Sequence, residues 1–172
     1  MPFKKLSLAA LMLLLHDHTQ AEPLANKSAL QAAFTYNFAN YTEWPSLAGD
    51  SFNVCTWNAP LVSAALQELP PRRLKNLPVQ YSEAHKLAEL KSCQVLYVGE
   101  AAHDDLPAIH AALSEQALLI VTDEAEGELP PHASIILHEQ NHRLAFSINR
   151  SAAQAAHLKI SAELLRLAKK IY

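Results

Sequence analysis

Gln94-Val-Leu-Tyr-Val98 and Ala117-Leu-Leu-Ile-Val121 are two short, near-continuous apolar runs, and Leu106-Pro-Ala-Ile-His-Ala-Ala-Leu113 lies between them with helical spacing. Short runs of Val, Leu and Ile without polar alternation read as strands covered on both faces of a sheet. Strand, helix and strand in that order predict a crossover unit and a parallel sheet. Upstream, Phe52 to Trp57 predicts a further strand. Pro60 opens a short helix that stops at Pro70-Pro71, because proline suits a first turn and ends a last one. Leu77 to Tyr81 predicts a short strand, and Ala84 to Leu90 one or two helical turns. The first helix should run from Asn26 to Tyr41, with Ala29, Ala33, Phe34, Tyr36, Phe38 and Tyr41 as its apolar and aromatic positions, and Trp44-Pro45 closes it.

Beyond Val121 the pattern changes. Ser134 to Leu137 and Leu144 to Ile148 are β-rich runs joined by a polar connector, the signature of an antiparallel hairpin. Ser151 to Ala156 and Ser161 to Ile171 then read as helices, the second with Leu164, Leu165, Leu167, Ala168 and Ile171 on its apolar stripe. The expected fold is α/β: a single, mostly parallel sheet flanked by helices, with a C-terminal antiparallel hairpin and terminal helices.

The N-terminus decides the compartment. Lys4 and Lys5 precede an apolar run from Leu6 to Leu15, followed by the polar His16 to Gln20 and the small Ala21. Charged start, short apolar centre and small exit residue describe a cleavable export signal. The apolar run is about half of what a bilayer-spanning helix needs. Residues 1–21 are therefore expected to be removed, leaving residues 22–172 as one domain in the periplasm. The formal net charge of −3 provides no basic field for nucleic acid or acidic membranes. Three glycines, at 49, 99 and 127, are too few for a Gly-rich phosphate loop. Cys55 and Cys93 are the only cysteines, and an oxidising compartment favours joining them; two buried free thiols are the other reading.

His138-Glu-Gln-Asn-His142 spells the zinc-hydrolase signature, in which a helix sets two imidazoles one turn apart and the glutamate activates water. Here the flanks, Ser134-Ile-Ile-Leu137 and Leu144-Ala-Phe-Ser-Ile148, favour strands, so no zinc, cofactor or catalytic residue is expected. A metallohydrolase using His138, Glu139 and His142 remains the enzymatic alternative. His103 and His110, with Asp104 and Asp105, read as a solvated helix face. The aromatic residues Tyr41 and Trp44 read first as core packing and otherwise as a partner-binding edge; Arg150 and Lys159 read as plain solvated charges or as contacts for an anionic ligand. A periplasmic small-ligand binder reporting to a membrane kinase is thus a second, non-enzymatic alternative.

Several segments resemble the YfiR-like family: Ala32-Ala-Phe-Thr-Tyr-Asn-Phe-Ala-Asn-Tyr-Thr-Glu-Trp-Pro45, Phe52-Asn-Val-Cys-Thr56, Ser92-Cys-Gln-Val-Leu-Tyr-Val98, and, most specifically, Leu144-Ala-Phe-Ser-Ile-Asn149 followed by Ala152-Ala153 and Leu158-Lys-Ile-Ser-Ala-Glu-Leu-Leu-Arg-Leu-Ala168. The resemblance implies an α/β fold, a Cys55–Cys93 disulfide and dimers. It also implies a periplasmic repressor that binds the periplasmic portion of an inner-membrane diguanylate cyclase, lowering cyclic di-GMP and restraining biofilm. The sequence departs from the family pattern at Leu129-Pro-Pro-His132, where many members carry a glycine pair, and it lacks a second pair of cysteines.

Overall fold

The computed structural model describes residues 21–125, 129–140 and 143–172. Helix α1 (Ala21–Asn40) leads into β1 (Thr42–Glu43), β2 (Phe52–Trp57) and α2 (Pro60–Gln67). Next come β3 (Arg73–Leu74), β4 (Leu77–Ala84), a 3-10 segment (Leu87–Ser92) and β5 (Val95–Val98). A second 3-10 segment (Glu100–Asp105), α3 (Leu106–Ala112) and β6 (Leu119–Asp123) complete the predicted crossover. The chain ends with β7 (Ile135–Gln140), β8 (Arg143–Ile148), α4 (Arg150–Ala155), β9 (Lys159–Ile160), α5 (Ala162–Leu167) and β10 (Lys170–Ile171). The export signal expected at residues 1–21 lies outside the described residues except for Ala21. Among the described residues no helix is long and apolar enough to cross a membrane.

The main sheet has eight strands in the order β10-β8-β7-β6-β5-β2-β4-β3. From β4 to β7 every neighbouring pair is parallel, whereas β7 and β8 are antiparallel, with Ile135 opposite Ile148 and Gln140 opposite Arg143. Counted in chain order, the five parallel strands run 2-1-3-4-5, the order of a doubly wound sheet whose crossovers change sides beside its first strand. Two cores follow from strand alternation. Phe52, Val54, Val95, Tyr97, Leu119, Val121, Ile135 and Leu137 pack on one face with α1 and α2. Cys55, Leu96, Val98, Ile120 and Ile136 pack on the other with the 3-10 segments and α3.

The sequence expectation of a mostly parallel α/β sheet with a C-terminal antiparallel pair is met, and the differences lie in short elements. Ser161 caps α5 by accepting from the Leu164 N–H at 3.1 Å, as a helix start should, but the helix ends at Leu167 rather than Ile171. The chain then becomes β10, with Lys169 N–H donating to Phe146 O and Tyr172 N–H to Ile148 O. Pairing the open edge of β8 outweighs another helical turn there, because unsatisfied edge groups cost more than weak helix propensity returns. Lys159, expected in a linker, lies on β9 opposite Glu43 of β1. Strand β4 continues to Ala84, and the helical turns after it are 3-10 geometry beginning at Leu87.

Cys55 and Cys93 form a disulfide, with Cα atoms 5.9 Å apart. It ties the middle of β2 to the entry of β5 across 38 residues of chain. Gly99 marks the other end of the same strand pair: its N–H donates to Trp57 O at 2.9 Å, and an added Cβ would collide with the Asn58 carbonyl. Cys55→Ala is expected to lower unfolding free energy by about 3–4 kcal/mol in denaturant melts, the loop-closure value for that separation. Gly99→Ala should cost about 1–3 kcal/mol by forcing the β2–α2 turn away from β5; a neutral melt would show that the turn gives way freely.

Candidate functional site

Where the crossovers change sides, beyond the carboxyl ends of β2 and β5, lies a crevice, the usual ligand position in open α/β sheets. A cavity of about 250 Å³ occupies it, walled by α1, the start of α2 and the ends of β5 and β6. At its polar end, Asp123 accepts one hydrogen bond from Gln31 Nε2 at 2.7 Å and another from Tyr97 OH. Burial above all, then the Asp123 charge, pushes the Tyr97 phenol well above its ordinary pKa, so Tyr97 is a fixed donor. Leu61 and Val62 form the apolar side, and Lys27 stands at the rim, its Nζ 4.0 Å from Glu139. On the opposite face of the same strand ends, Trp57 donates to Asp105 at 2.8 Å, and His103 meets Thr122 at 2.7 Å. His103 and His110 therefore do not share one solvated face: His110 instead stacks on His132 at 4.5 Å.

The sequence-derived candidates gather at the other end of the parallel strands, by their amino ends. Trp44 is half-buried: its indole N–H donates to Ala117 O at 2.9 Å, and its ring meets Phe52 edge-on at 5.1 Å. Tyr41 is half-buried beside it and accepts the Ser161 N–H through its carbonyl. Lys159 Nζ pairs with Glu43 at 3.3 Å on the exposed β1–β9 ladder. Arg150 and Lys159 line one small cavity of about 90 Å³. Thus Tyr41, Trp44, Arg150 and Lys159, spread over 118 positions of sequence numbering from 41 to 159, occupy one end of the molecule.

The zinc-hydrolase signature folds as strand, not helix. His138 and Glu139 lie on β7, while His142 lies outside the described residues. His138 Nε2 sits 2.7 Å from Ser147 Oγ and its Nδ1 3.3 Å from Glu124 Oε2. The connectivity matches a serine-hydrolase triad, but Ser147 is only 2% exposed, so no acyl group reaches its hydroxyl. The chain of contacts satisfies buried polar atoms between β7 and β8 and locks their register. Among the described residues no three His, Cys, Asp or Glu side chains gather to hold a metal. His138→Ala should cost about 2 kcal/mol by leaving Ser147 and Glu124 without their partner, whereas the exposed Glu139→Gln should stay within about 0.5 kcal/mol. Tight one-to-one zinc with hydrolysis lost in Glu139→Gln would reverse this assignment of the motif.

Among curated proteins, none matches the chain. A solved structure described as an ABC domain in complex with L-Trp from Streptococcus pneumonia shares the fold, with a TM-score of 0.53 at 10% identity. The similarity covers 82% of this chain, which spans 60% of that one. The family model described as YfiR/HmsC-like matches residues 28–169, from the first turns of α1 to the approach of β10. With the doubly wound sheet, the β2–β5 disulfide and the antiparallel β7–β8 pair all inside that span, the chain belongs to the YfiR/HmsC-like family.

Proposed function

We propose that this protein is a periplasmic regulator that binds the periplasmic portion of an inner-membrane signalling protein, represses a diguanylate cyclase and so lowers cyclic di-GMP. The family match over residues 28–169 is the observation that carries this reading. The export signal expected at residues 1–21 supports the location. The burial of Ser147 and the strand geometry of His138 and Glu139 fit a protein that works by binding rather than by chemistry.

Repression by binding requires preference for one state of the partner. A protein that favours the inactive conformation tenfold shifts the partner's equilibrium with about 1.4 kcal/mol of differential affinity. The end carrying Tyr41, Trp44, Arg150 and Lys159 is the proposed contact surface. It combines half-buried aromatics with exposed charges, the mixture that anchors interfaces. The Glu43–Lys159 pair, exposed on both sides, contributes little to stability and is free to exchange for a partner's charges.

Deleting the gene is expected to raise cyclic di-GMP, and the mature chain should recover a cyclase from detergent-solubilised membranes. Lys159→Ala should weaken that capture several-fold with a nearly unchanged melting temperature, because an exposed ion pair contributes little to stability. Trp44→Ala should act differently, costing about 3 kcal/mol of stability through its packing on Phe52. Unchanged cyclic di-GMP with no membrane protein captured would sink the regulator reading and favour a small-ligand binder.

A further inference from the structure

We infer that the cavity between α3 and α4, over the amino ends of β6 and β7, is a binding site for a small uncharged hydroxyl compound with an apolar body, of the phenol class, whose hydroxyl pairs with Ser134. The site lies at the opposite end of the parallel strands from the Asp123 crevice, and it stands whichever membrane protein the chain engages.

The cavity measures about 210 Å³, and an apolar protein cavity of about 150 Å³ already holds a benzene molecule. Its room comes from short side chains. Helix α4 contributes Ser151, Ala152, Ala155 and Ala156, which offer no more than a methyl or a hydroxyl to fill the space before His110 and Leu113 at the end of α3. Leu118 and Ile120, at the start of β6, form an apolar floor. Pro131 and His132 make the remaining wall, where His132 stacks on His110 with ring centroids 4.5 Å apart. That wall is fixed by Asn149, which caps α4 by accepting from Ala152 N–H at 3.0 Å and donates from Nδ2 to Pro131 O at 2.9 Å.

Ser134 supplies the polar point. It is 2% exposed, lines the cavity and, by strand alternation, shares the sheet face of Ile136. Its backbone is spent on both neighbours: its N–H donates to Ile120 O and its carbonyl accepts from Asn149 N–H, each at 2.9 Å. The position of the hydroxyl is therefore set, yet it makes no hydrogen bond among the described residues. A buried hydroxyl without a partner costs free energy, and a ligand hydroxyl in the cavity removes that cost. The lining also chooses the charge of the ligand. No Asp, Glu, Lys or Arg lines the cavity. Burial above all, then His110, holds the His132 imidazole below its ordinary range, which favours the neutral ring. A carboxylate or ammonium entering here would lose water without meeting a counter-charge. An uncharged hydroxyl compound loses less and gains both the Ser134 bond and the apolar walls.

Isothermal titration of the exported protein with phenol at about pH 8, above the ordinary imidazole range, tests the assignment. Phenol is expected to bind with Kd below about 1 mM. Benzoate, the same ring carrying a charge, should bind about tenfold or more weakly. Ser134→Ala should weaken phenol about fivefold to tenfold and leave toluene, which keeps the ring and lacks the hydroxyl, within about twofold of its affinity for the parent. Ala155→Phe, at an exposed position of α4 where folding is retained, should fill the cavity and abolish binding of both, as judged beside a nearly unchanged circular dichroism melt. No binding of phenol, equal binding of benzoate, equal losses of phenol and toluene in Ser134→Ala, or undiminished phenol affinity in Ala155→Phe would each overturn the proposal.

Discussion

Parallel pairing on both sides of β2 is the constraint on which the rest of the molecule depends. Its Phe52, Val54, Cys55 and Thr56 are all buried, so neither face can be offered to water. Its backbone is bonded to β4 along one edge and to β5 along the other, from Phe52 to Trp57 and from Val54 to Trp57. Parallel neighbours need crossovers, and right-handed crossovers leaving a central strand in opposite directions must cover opposite faces. Helix α2 therefore lies on one side, and the 3-10 segments and α3 on the other. The disulfide and the Gly99 approach fasten the β2–β5 pair near its two ends. The opening between the two crossovers is a consequence of that winding.

Such winding is legible in sequence because it is written in strong, local patterns. The apolar runs at 94–98 and 117–121 and the strand at 52–57 are unambiguous once both faces must be covered. The exceptions are two-residue strands. Lys170-Ile171 and Lys159-Ile160 have no periodicity long enough to read, and they pair because β8 and β1 present open edges. The apolar stripe from Leu164 to Ile171 mimics a helix to its end, yet Leu167 and Ile171 are exposed, 66% and 45%. An apolar pattern records preference for burial but not whether a neighbour exists to bury against.

The crevice was far less legible. Gln31, Tyr97 and Asp123 are separated by 92 and 26 positions in their hydrogen-bonded pairs, and each alone resembles an ordinary core or loop residue. One signal did exist. Asp123 directly follows Leu119-Ile-Val-Thr122, an acidic residue at the carboxyl end of a buried parallel strand, where such sheets place their sites. The signature at His138 is the more conspicuous pattern in the sequence. A motif written for a helix loses its meaning on a strand, where successive side chains point to opposite faces: His138 turns inward to Ser147 while Glu139 turns out toward Lys27.

The two ends of the molecule are joined by one rigid element. Helix α1 carries Gln31 into the crevice and runs directly to Tyr41, about 15 Å further along at the helical rise. Its register is held near its middle by Gln31 on Asp123 and beyond its last turn by the β1–β9 ladder that begins at Thr42. A ligand seated against Asp123 affects partner binding only through its own difference in affinity between the free and partner-bound chain. By linkage that difference appears equally in the partner's affinity when ligand is present. A displacement of α1 is the most direct carrier, since it brings Gln31 to Asp123 and leads directly into Tyr41, whereas the sheet beneath is fastened by six shared residue pairs between β2 and β4 and by the disulfide. Coupling in this fold therefore depends on whether α1 can slide over the sheet without breaking the Phe38 and Ala39 contacts that bury its last turn.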